Sequence, residues 1–331
     1  MARGVVMADI GIDLGTGTTV VCHPRDGVVH DQPSLLVEWP TRRGRELLLG
    51  DAAAALDGRT PPGARVGHPL RGGAVTDLTL ARTYLHELVR QTSRGRWRVR
   101  RPHAVLSCSV DATPLERRAL LESAEEAGLG RVDLLAAPLA AALGCGLDLA
   151  DTRVQAVVDV GAGTAEIAVF CRGVVLVGRS CGHAGDEMTT AVRGRLREQH
   201  GLDVSPPAAD AMKVQASAAR EPLVVEGRDV ATGRPRVLTV EVAEVEAAVV
   251  PVVRRAVASL GDCLDDLPVA GVPDLFGGGV VLVGGGSLAP HLRDELESAL
   301  GFPVKVPDRP RTCVAEGLAL AGARPEPHAR P

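Results

Sequence analysis

Two segments of the chain share one pattern of apolar and polar positions. Residues 9–22 read DIGIDLGTGTTVVC, and residues 155–170 read QAVVDVGAGTAEIAVF. In both segments a β-rich apolar run ends at an aspartate, passes through two glycines and continues as a second β-rich run. The pattern predicts two β-hairpins, each with a glycine turn between its strands.

The two segments repeat at a constant spacing. Asp13 aligns with Asp159, and the offset between them, 159 minus 13, is 146 residues. The same offset aligns three further pairs: Gly15 with Gly161, Gly17 with Gly163, and Thr18 with Thr164. A repeat that spans strand, turn and strand predicts two homologous lobes. The length of 331 residues also favours two lobes.

The glycine turns are candidate phosphate-binding sites. A glycine lacks a Cβ, so the backbone N–H groups of such a turn can approach an anion closely. Each turn also follows one carboxylate, Asp13 in the first copy and Asp159 in the second. Mg²⁺ takes few protein carboxylates and keeps several waters. We therefore expect Asp13 and Asp159 to be the metal candidates, acting largely through water.

A third glycine cluster lies near the C-terminus, in VVLVGGGSLAPHLRDEL at residues 280–296. The pattern predicts an apolar strand, a turn at Gly284, Gly285 and Gly286, Ser287 as a helix N-cap, and then an amphipathic helix. A strand, a glycine turn and a helix N-terminus together form a common nucleotide contact. Each cluster alone is weak evidence among 38 glycines, whereas the combination is specific.

The remaining pattern predicts ordinary elements. A helix ends near Gln91 and a strand starts near Ala104; a helix at Pro207–Ala219 lies among short β-rich pieces and indicates a small subdomain. Residues 325–331 are rich in proline and polar residues and are expected to be a disordered tail. No uncharged apolar run reaches the roughly 18 residues of a membrane-spanning helix.

The composition excludes some classes of function. The chain is 45% hydrophobic and 24% charged with a net charge of −4, which is typical of a globular protein and gives no reason to expect a nucleic-acid partner. Only six aromatic residues occur, so the core must consist mainly of Ala, Val and Leu. The seven cysteines form no CxxC pair, which favours reduced thiols in the cytosol over a zinc site.

An arginine-rich segment, SRGRWRVRRPH at residues 93–103, is the sharpest local charge feature. Arginines alternate with apolar residues in its centre: Arg96, Trp97, Arg98, Val99 and Arg100. This alternation suits a loop whose apolar tips enter a lipid interface while its guanidinium groups contact anionic headgroups. The alternatives are a solvated basic turn and contact with nucleic acid, for which one aromatic residue makes a poor stacking surface.

Taken together, the three glycine clusters resemble the phosphate 1, phosphate 2 and adenosine motifs of the superfamily of actin, DnaK-type chaperones and sugar kinases. Further segments resemble, in order and spacing, the MreB/Mbl family of bacterial actin-like cell-shape proteins. These segments are PLRGGAVTD (69–77), ERRALLESAEEAGL (116–129), APLAAALGCGL (137–147), AGDEMTTAV (184–192) and TCVAEGLALA (312–321). The resemblance covers roughly residues 8–322, and the chain is identified as a divergent member of the family.

The resemblance implies an α/β protein with the actin-like ATPase fold: two lobes, each a mixed-sheet core with flanking helices, and a nucleotide cleft between them. Domain I would comprise residues 1–151 and 308–324, with a small subdomain at about 31–75. Domain II would comprise residues 152–307, with a small subdomain at about 186–242.

The resemblance also assigns nucleotide contacts. The phosphates would be contacted by Gly15, Thr16, Gly17, Thr18 and Thr19 from one lobe and by Gly161, Ala162, Gly163 and Thr164 from the other. Ribose and base contacts would come from Asp186, Glu187, Asp210 and Lys213, and the adenine pocket would be closed by Gly284, Gly285, Gly286, Ser287 and Leu288.

At one position the sequence departs from the family. A glutamate precedes the proline of the P-x-A-A-A helix in the family and positions the water that attacks the γ-phosphate, but Ala137 occupies that position here. A methyl group can neither accept a proton nor orient water, so we expect ATP binding with weak hydrolysis. Glu166 is a hypothetical substitute, and its alternative interpretation is a surface carboxylate on a strand.

The function implied by the resemblance is an ATP- and Mg²⁺-binding filament that organises cell shape or wall synthesis at the membrane. Its expected partners are further copies of itself, an anionic membrane surface and the cell-wall synthesis machinery, and its expected location is the cytoplasm with peripheral membrane attachment. Two alternatives remain: a nucleotide-binding scaffold that does not polymerise, and a small-molecule kinase of the same superfamily, for which Asp186 is the candidate base. A DnaK-type chaperone would be expected to continue into a β-rich peptide-binding domain.

Overall fold

A computed structural model of the chain describes residues 9–42, 44–56, 58–92 and 101–321. The chain divides into two compact units. The first comprises Met1–Asp151 and Arg311–Pro331, and the second comprises Thr152–Pro310.

The first unit is built on a five-stranded sheet with strand order β3-β2-β1-β7-β8. Its elements before residue 151 are β1 (Ile10–Leu14), β2 (Thr18–His23), β3 (Gly27–Pro33), β4 (Leu36–Thr41), β5 (Gly44–Leu49), α1 (Gly50–Ala54), β6 (Arg65–Gly67), α2 (Leu78–Thr92), β7 (His103–Cys108), α3 (Pro114–Glu126), β8 (Arg131–Ala136) and α4 (Ala137–Gly144). Strands β5, β4 and β6 form a separate three-stranded sheet.

The second unit repeats this design with strand order β11-β10-β9-β15-β16. Its elements are β9 (Gln155–Val160), β10 (Ala165–Cys171), β11 (Val174–Cys181), α5 (Gly185–His200), β12 (Leu202–Asp203), α6 (Pro206–Ala216), β13 (Leu223–Asp229), β14 (Pro235–Val240), α7 (Val242–Gly261), α8 (Val272–Gly278), β15 (Val280–Val283), α9 (Leu292–Leu300) and β16 (Val304–Lys305). Strands β12, β13 and β14 form the second small sheet. Helix α10 (Cys313–Ala321) returns to the first unit.

Both predicted hairpins are confirmed, and they match at the level of register. Strands β1 and β2 pair antiparallel with Asp13 opposite Val20, and β9 and β10 pair antiparallel with Asp159 opposite Glu166. Adding the repeat offset of 146 to residues 13 and 20 gives residues 159 and 166, so the same positions pair in both hairpins. The fold class predicted from the sequence is therefore confirmed as a duplicated α/β architecture.

The cores consist mainly of aliphatic side chains, as the low aromatic content requires, and include a few buried aromatic ones. In the second unit β10 is buried from Ala165 to Phe170 because it lies between two other strands of its sheet. In the first unit the lone tyrosine, Tyr84 on α2, is fully buried.

Helices α4 and α10 are packed closely in the first unit. A Cβ added at Gly317 would overlap the carbonyl oxygen of Ala140, and one at Gly144 would overlap that of Cys313. The two glycines therefore allow backbone-to-backbone contact that no larger residue permits.

Some predicted boundaries hold and one is wrong. Helix α2 ends at Thr92 and β7 begins at His103, each one residue from its prediction. Ser287 is not a helix N-cap: residues 285–288 form a short 3₁₀ turn, and α9 begins at Leu292. Pro290 explains the shift, since a proline disfavours helical backbone in the preceding residue and Ala289 is indeed extended.

The helix predicted at Pro207–Ala219 is α6, which runs from Pro206 to Ala216. Ser205 caps it by accepting a hydrogen bond from the backbone N–H of Ala208 at 3.3 Å. Among the described residues, no helix combines the length and the apolar composition needed to cross a membrane.

Candidate nucleotide-binding site

A backbone hydrogen bond closes the turn of the first hairpin. The backbone N–H of Gly15 donates to the carbonyl of Thr18 at 3.2 Å. A Cβ at Gly15 would lie 2.6 Å from that same carbonyl oxygen, so the turn requires glycine there. The side chain of Thr16 accepts a hydrogen bond from the N–H of Gly73 at 3.0 Å.

The second hairpin closes in the same way. The N–H of Gly161 donates to the carbonyl of Thr164 at 2.8 Å, and this bond joins the residues that align with Gly15 and Thr18 in the sequence repeat. Helix α5 then begins directly against this turn. The N–H groups of Gly185 and Asp186 donate to the carbonyls of Gly161 and Ala162, at 3.1 and 2.8 Å.

Asp13 is the carboxylate at the end of β1, and it accepts a hydrogen bond from the hydroxyl of Ser107 at 2.7 Å. Burial raises the pKa of Asp13 to about 6, although the hydrogen bond from Ser107 acts in the opposite direction. A carboxylate that burial disfavours in its charged form gains more from a nearby cation than a solvated one does.

Asp159 is the corresponding carboxylate of the second unit, and it lies against the third glycine cluster. A Cβ at Gly284 would overlap the carboxylate of Asp159 and the carbonyl of Val160, and one at Gly286 would overlap Val160. Gly284 also has a positive φ of 83°. These glycines therefore bring the start of the turn onto the end of β9.

Ser287 and Leu288 complete the third cluster in different environments. The hydroxyl of Ser287 is buried and donates to the carbonyl of Gly284 at 2.7 Å, so it stabilises the turn from within. Gly285 is exposed, and Leu288 is 47% exposed. An exposed leucine beside an exposed glycine backbone is available for an apolar ligand.

Asp13 in the first unit and Asp159 in the second are the candidate ligands for a hydrated cation. No group of three or more His, Cys, Asp or Glu side chains suited to a metal occurs in the part of the chain that the structure describes. Each hairpin offers one aspartate, and Mg²⁺ is commonly held by one or two carboxylates, waters and substrate phosphates. The residues present are therefore compatible with Mg²⁺ bound together with a nucleotide.

Lys213 and Asp210 meet at the start of α5. The Lys213 ammonium donates to the carbonyl of Gly185 and to the hydroxyl of Thr189, both at 3.0 Å, and pairs with Asp210 at 2.6 Å. A Cβ at Gly185 would lie 3.5 Å from the Lys213 nitrogen and 3.1 Å from the carbonyl oxygen of Gly161. The structure thus places Lys213 at the first residue of α5, next to the turn of the second hairpin.

Two basic side chains, those of His183 and Arg255, hold the carboxylate of Glu187 in position. His183 and Arg255 both hydrogen-bond its carboxylate, at 2.7 and 2.6 Å. Burial acts to raise the pKa of Glu187, but the hydrogen bonds from His183 and Arg255 outweigh it and the pKa is lowered. Glu187 is therefore anionic at neutral pH and is fixed in position.

Glu166 lies on β10 directly opposite Asp159, and its side chain is only 5% exposed. The interpretation of Glu166 as a surface carboxylate is therefore wrong. The cause is the central position of β10, which is paired on both edges. The equivalent residue of the first unit is the buried Val20, so Glu166 places a carboxyl group at a repeat position that is apolar in the first unit.

Ala137 is the first residue of α4 and is 9% exposed. Pro138 follows it in the first turn, where a missing N–H costs nothing. The helix is buried from Ala137 to Leu143. The position at which the resemblance expects a glutamate therefore carries only a nearly buried methyl group.

The membrane-loop prediction concerns Arg96, Trp97, Arg98, Val99 and Arg100, which lie outside the described residues, as does the tail at 325–331.

Two buried residues beside the first hairpin, Ser34 and Tyr84, belong to no motif of the sequence. The hydroxyl of Ser34 donates to the carbonyl of Gly15 at 2.6 Å, and its N–H donates to the carbonyl of Gly17 at 2.9 Å. The hydroxyl of Tyr84 donates to that of Thr19 at 2.9 Å. The one available signal was that Tyr84 is the only tyrosine in the chain.

Comparison with known proteins identifies the family of the chain. The family model described as MreB/Mbl protein matches residues 7–328. Cell shape-determining protein MreB of Escherichia coli (strain K12) is 32% identical over 324 residues, covering 95% of this chain and 93% of that protein. Cell shape-determining protein Mbl of Bacillus subtilis (strain 168) is 30% identical over 318 residues, covering 94% and 95%.

Two solved structures are similar over nearly the full length. MreB 5 of Spiroplasma citri bound to AMPPNP superposes with a TM-score of 0.84 at 25% identity and 94% coverage of both chains. The MamK double helical filament superposes with a TM-score of 0.79 at 21% identity, which supports the fold alone. Since the family model and both curated relatives span almost all of its length, the chain belongs to the MreB/Mbl family of actin-like cell shape-determining proteins.

Proposed function

We propose that this protein binds ATP with Mg²⁺ and forms filaments that organise cell shape or cell-wall synthesis at the membrane. The observation that carries the proposal is the pair of hairpins with identical register and identical closing hydrogen bonds. Turns of this kind present backbone N–H groups to an anion. The similar MreB 5 of Spiroplasma citri was solved with AMPPNP bound, which supports a nucleoside triphosphate as the ligand.

In this proposal each residue has the role that the family resemblance implies for it. Gly15 to Thr19 and Gly161 to Thr164 contact phosphates, and Asp13 and Asp159 hold Mg²⁺ largely through water. Asp186, Glu187, Asp210 and Lys213 contact the ribose and base, and residues 284–288 contact the adenine. The first turn of α5 lies against Gly161 and Ala162, and Lys213 in turn contacts the Gly185 carbonyl of that helix, which supports a shared site in the second unit.

ATP hydrolysis is weak in this proposal. Ala137 offers no group that could orient water or accept its proton. Backbone and metal contacts to the phosphates would leave slow turnover, since electrostatic positioning supplies much of the rate in phosphoryl transfer. Glu166 is the hypothetical substitute, and its burial beside Asp159 is compatible with a role near the phosphates.

Membrane attachment is proposed from residues 93–103 alone. One short basic loop is a marginal anchor, and stable attachment needs several anchors on one polymer. Filament formation and lipid binding therefore support each other. The cell-wall synthesis machinery is proposed as a partner because the matching relatives are cell shape-determining proteins.

The test is sedimentation and negative-stain imaging of the purified protein with ATP, ADP or no nucleotide, with and without anionic vesicles, and with EDTA in place of Mg²⁺. We expect ATP- and Mg²⁺-dependent pelleting and visible filaments. ATP binding without pelleting would instead identify a non-polymerising scaffold, and absence of ATP binding would overturn the proposal.

A matched pair of variants links the result to the hairpin. Gly15→Ala places a methyl group against the Thr18 carbonyl and should abolish ATP-dependent pelleting. Gly194→Ala places the same methyl group in open space on α5 and should pellet like the parent protein.

A further inference from the structure

Four residues of the first unit form a continuous buried hydrogen-bond chain that ends on the first hairpin. Tyr84, Thr19 and Ser34 are each fully buried. The Tyr84 and Thr19 hydroxyls are 2.9 Å apart, those of Thr19 and Ser34 are 2.8 Å apart, and the Ser34 hydroxyl is 2.6 Å from the carbonyl oxygen of Gly15.

The proton count gives the chain a single direction. A hydroxyl has one proton to donate, and Ser34 gives its proton to the Gly15 carbonyl, which can only accept. Thr19 must therefore donate to Ser34, and Tyr84 donates to Thr19. Burial raises the pKa of Tyr84 to about 12, although its hydrogen bonds act in the opposite direction, so the phenol keeps the proton it donates. Aligned bonds of this kind polarise and strengthen one another in a low-dielectric interior.

Ser34 also holds the turn through its backbone. Its N–H donates to the carbonyl of Gly17 at 2.9 Å. Its own carbonyl accepts a hydrogen bond from Nδ1 of His68 at 2.9 Å. Ser34 thus fixes two carbonyls of the hairpin turn, and His68 in turn fixes Ser34.

Fixing a carbonyl also fixes the amide that follows it. The peptide unit is planar and trans, so its C=O and N–H point in opposite directions. With the Gly15 and Gly17 carbonyls directed at Ser34, the N–H groups of Thr16 and Thr18 are turned to the side away from Ser34. These two amides are among those proposed to contact the phosphates.

We propose that Ser34 is a positioning residue for phosphate binding, and that Thr19 and Tyr84 support it through the hydroxyl chain. This inference rests on the proposed nucleotide-binding function. Without the chain, the Gly15–Thr16 peptide could rotate, and the Thr16 amide would have to be ordered at the expense of binding free energy.

The second hairpin uses a different device. Its Gly161 and Ala162 carbonyls accept hydrogen bonds from the backbone N–H groups of Gly185 and Asp186. The Gly15 carbonyl of the first turn is therefore held by a side-chain hydroxyl, whereas both carbonyls of the second turn are held by main chain. Only the first of these hydrogen bonds can be removed by substituting a hydroxyl.

The test is equilibrium dialysis of ATP and of adenosine with the full chain and its Ser34→Ala variant. We expect Ser34→Ala to bind ATP about tenfold more weakly, the scale of one or two lost hydrogen bonds, with adenosine affinity unchanged. Tyr84→Phe removes only the first donor of the chain and should weaken ATP binding by a smaller factor, again without affecting adenosine. If Ser34→Ala does not fold, Tyr84→Phe provides the test: weaker ATP binding with unchanged adenosine binding supports the inference, and ATP affinity equal to that of the parent overturns it.

Ser123→Ala is the matched control, because Ser123 is also buried in the first unit and donates to a backbone carbonyl, that of Ala119, at 2.8 Å. It should bind ATP like the parent protein. Equal ATP affinity in Ser34→Ala and the parent would overturn the inference, as would an equal loss of ATP and adenosine binding, which indicates a general structural role. Failure of the parent protein itself to bind ATP would instead overturn the proposed function.

Discussion

Ala137 begins helix α4, where its methyl group is nearly buried. We predict that Ala137→Glu raises the rate of phosphate release by on the order of 10²- to 10⁴-fold, the usual contribution of a group that positions water and accepts its proton. A carboxylate in the first turn of a helix is also favoured by the helix dipole. The measurement is phosphate release under single-turnover conditions, with the protein in excess over ATP and at a saturating protein concentration.

Ala137→Gln is the control for this prediction, since it adds similar volume without a basic carboxylate. Its rate should stay near that of the parent protein. An Ala137→Glu variant that binds ATP normally but hydrolyses it no faster would contradict the assignment of this position.

At the residue scale, the sequence predicted positions whose chemistry is visible in the residue type. Gly15 and Gly161 stood out because glycine beside a strand-ending aspartate is an uncommon combination that occurs twice. Ser34 could not be predicted, because a serine after a strand is ordinary and its role depends on burial against the earlier turn at Gly15. Glu166 was misread as a possible surface residue for the same reason, since pairing of β10 on both edges is a tertiary property.

At the scale of elements, the contact between α4 and α10 makes the most specific demand on residue size. We predict that Gly317→Ala destabilises the protein, because the added Cβ would overlap the carbonyl of Ala140. Overpacking of this kind costs about 1–3 kcal/mol in unfolding free energy. Urea denaturation should show a lower midpoint with an unchanged slope.

Gly194→Ala is the matched comparison, because it makes the same substitution in a helix where nothing lies within 4 Å of the new Cβ. It should be neutral or stabilising by up to about 1 kcal/mol, since alanine has the higher helix propensity. Equal midpoints for the two variants would contradict the prediction, because they would show that α4 and α10 can move apart without loss of unfolding free energy.

Element type was more predictable than element boundaries. Both hairpins followed from apolar runs on either side of glycine turns, and the end of α2 and the start of β7 were placed to within one residue. Helix α9 was misplaced because Ser287 resembles an N-cap in sequence, whereas Pro290 delays the helix to Leu292. Local capping signals and proline restrictions conflicted there, and the proline determined the boundary.

At the scale of the whole molecule, an offset readable in the sequence corresponds to a duplicated strand order. The two copies have since diverged in how each turn is fixed: by the hydroxyl of Ser34 in the first unit and by the first amides of α5 in the second. The duplication could be predicted because the same glycines and aspartates recur at a constant spacing in the sequence. The divergence could not, because it depends on which neighbouring segment packs on each turn.

The proposed membrane attachment makes a prediction that involves the whole polymer. Trp97→Ala should sharply reduce co-sedimentation with anionic vesicles, because tryptophan favours the headgroup depth and each nearby basic residue contributes about 1 kcal/mol. The loss should be larger with ATP than without it, because a filament binds the vesicle through many copies of the loop and each copy loses the same contact.

Arg98→Gln should also reduce co-sedimentation with anionic vesicles. Its control is Arg220→Gln, which neutralises an exposed arginine in the segment after α6. Vesicles of zwitterionic lipid should bind none of these proteins strongly. Unchanged binding of Trp97→Ala to anionic vesicles, under conditions where the protein pellets with ATP, would remove residues 93–103 as the membrane contact.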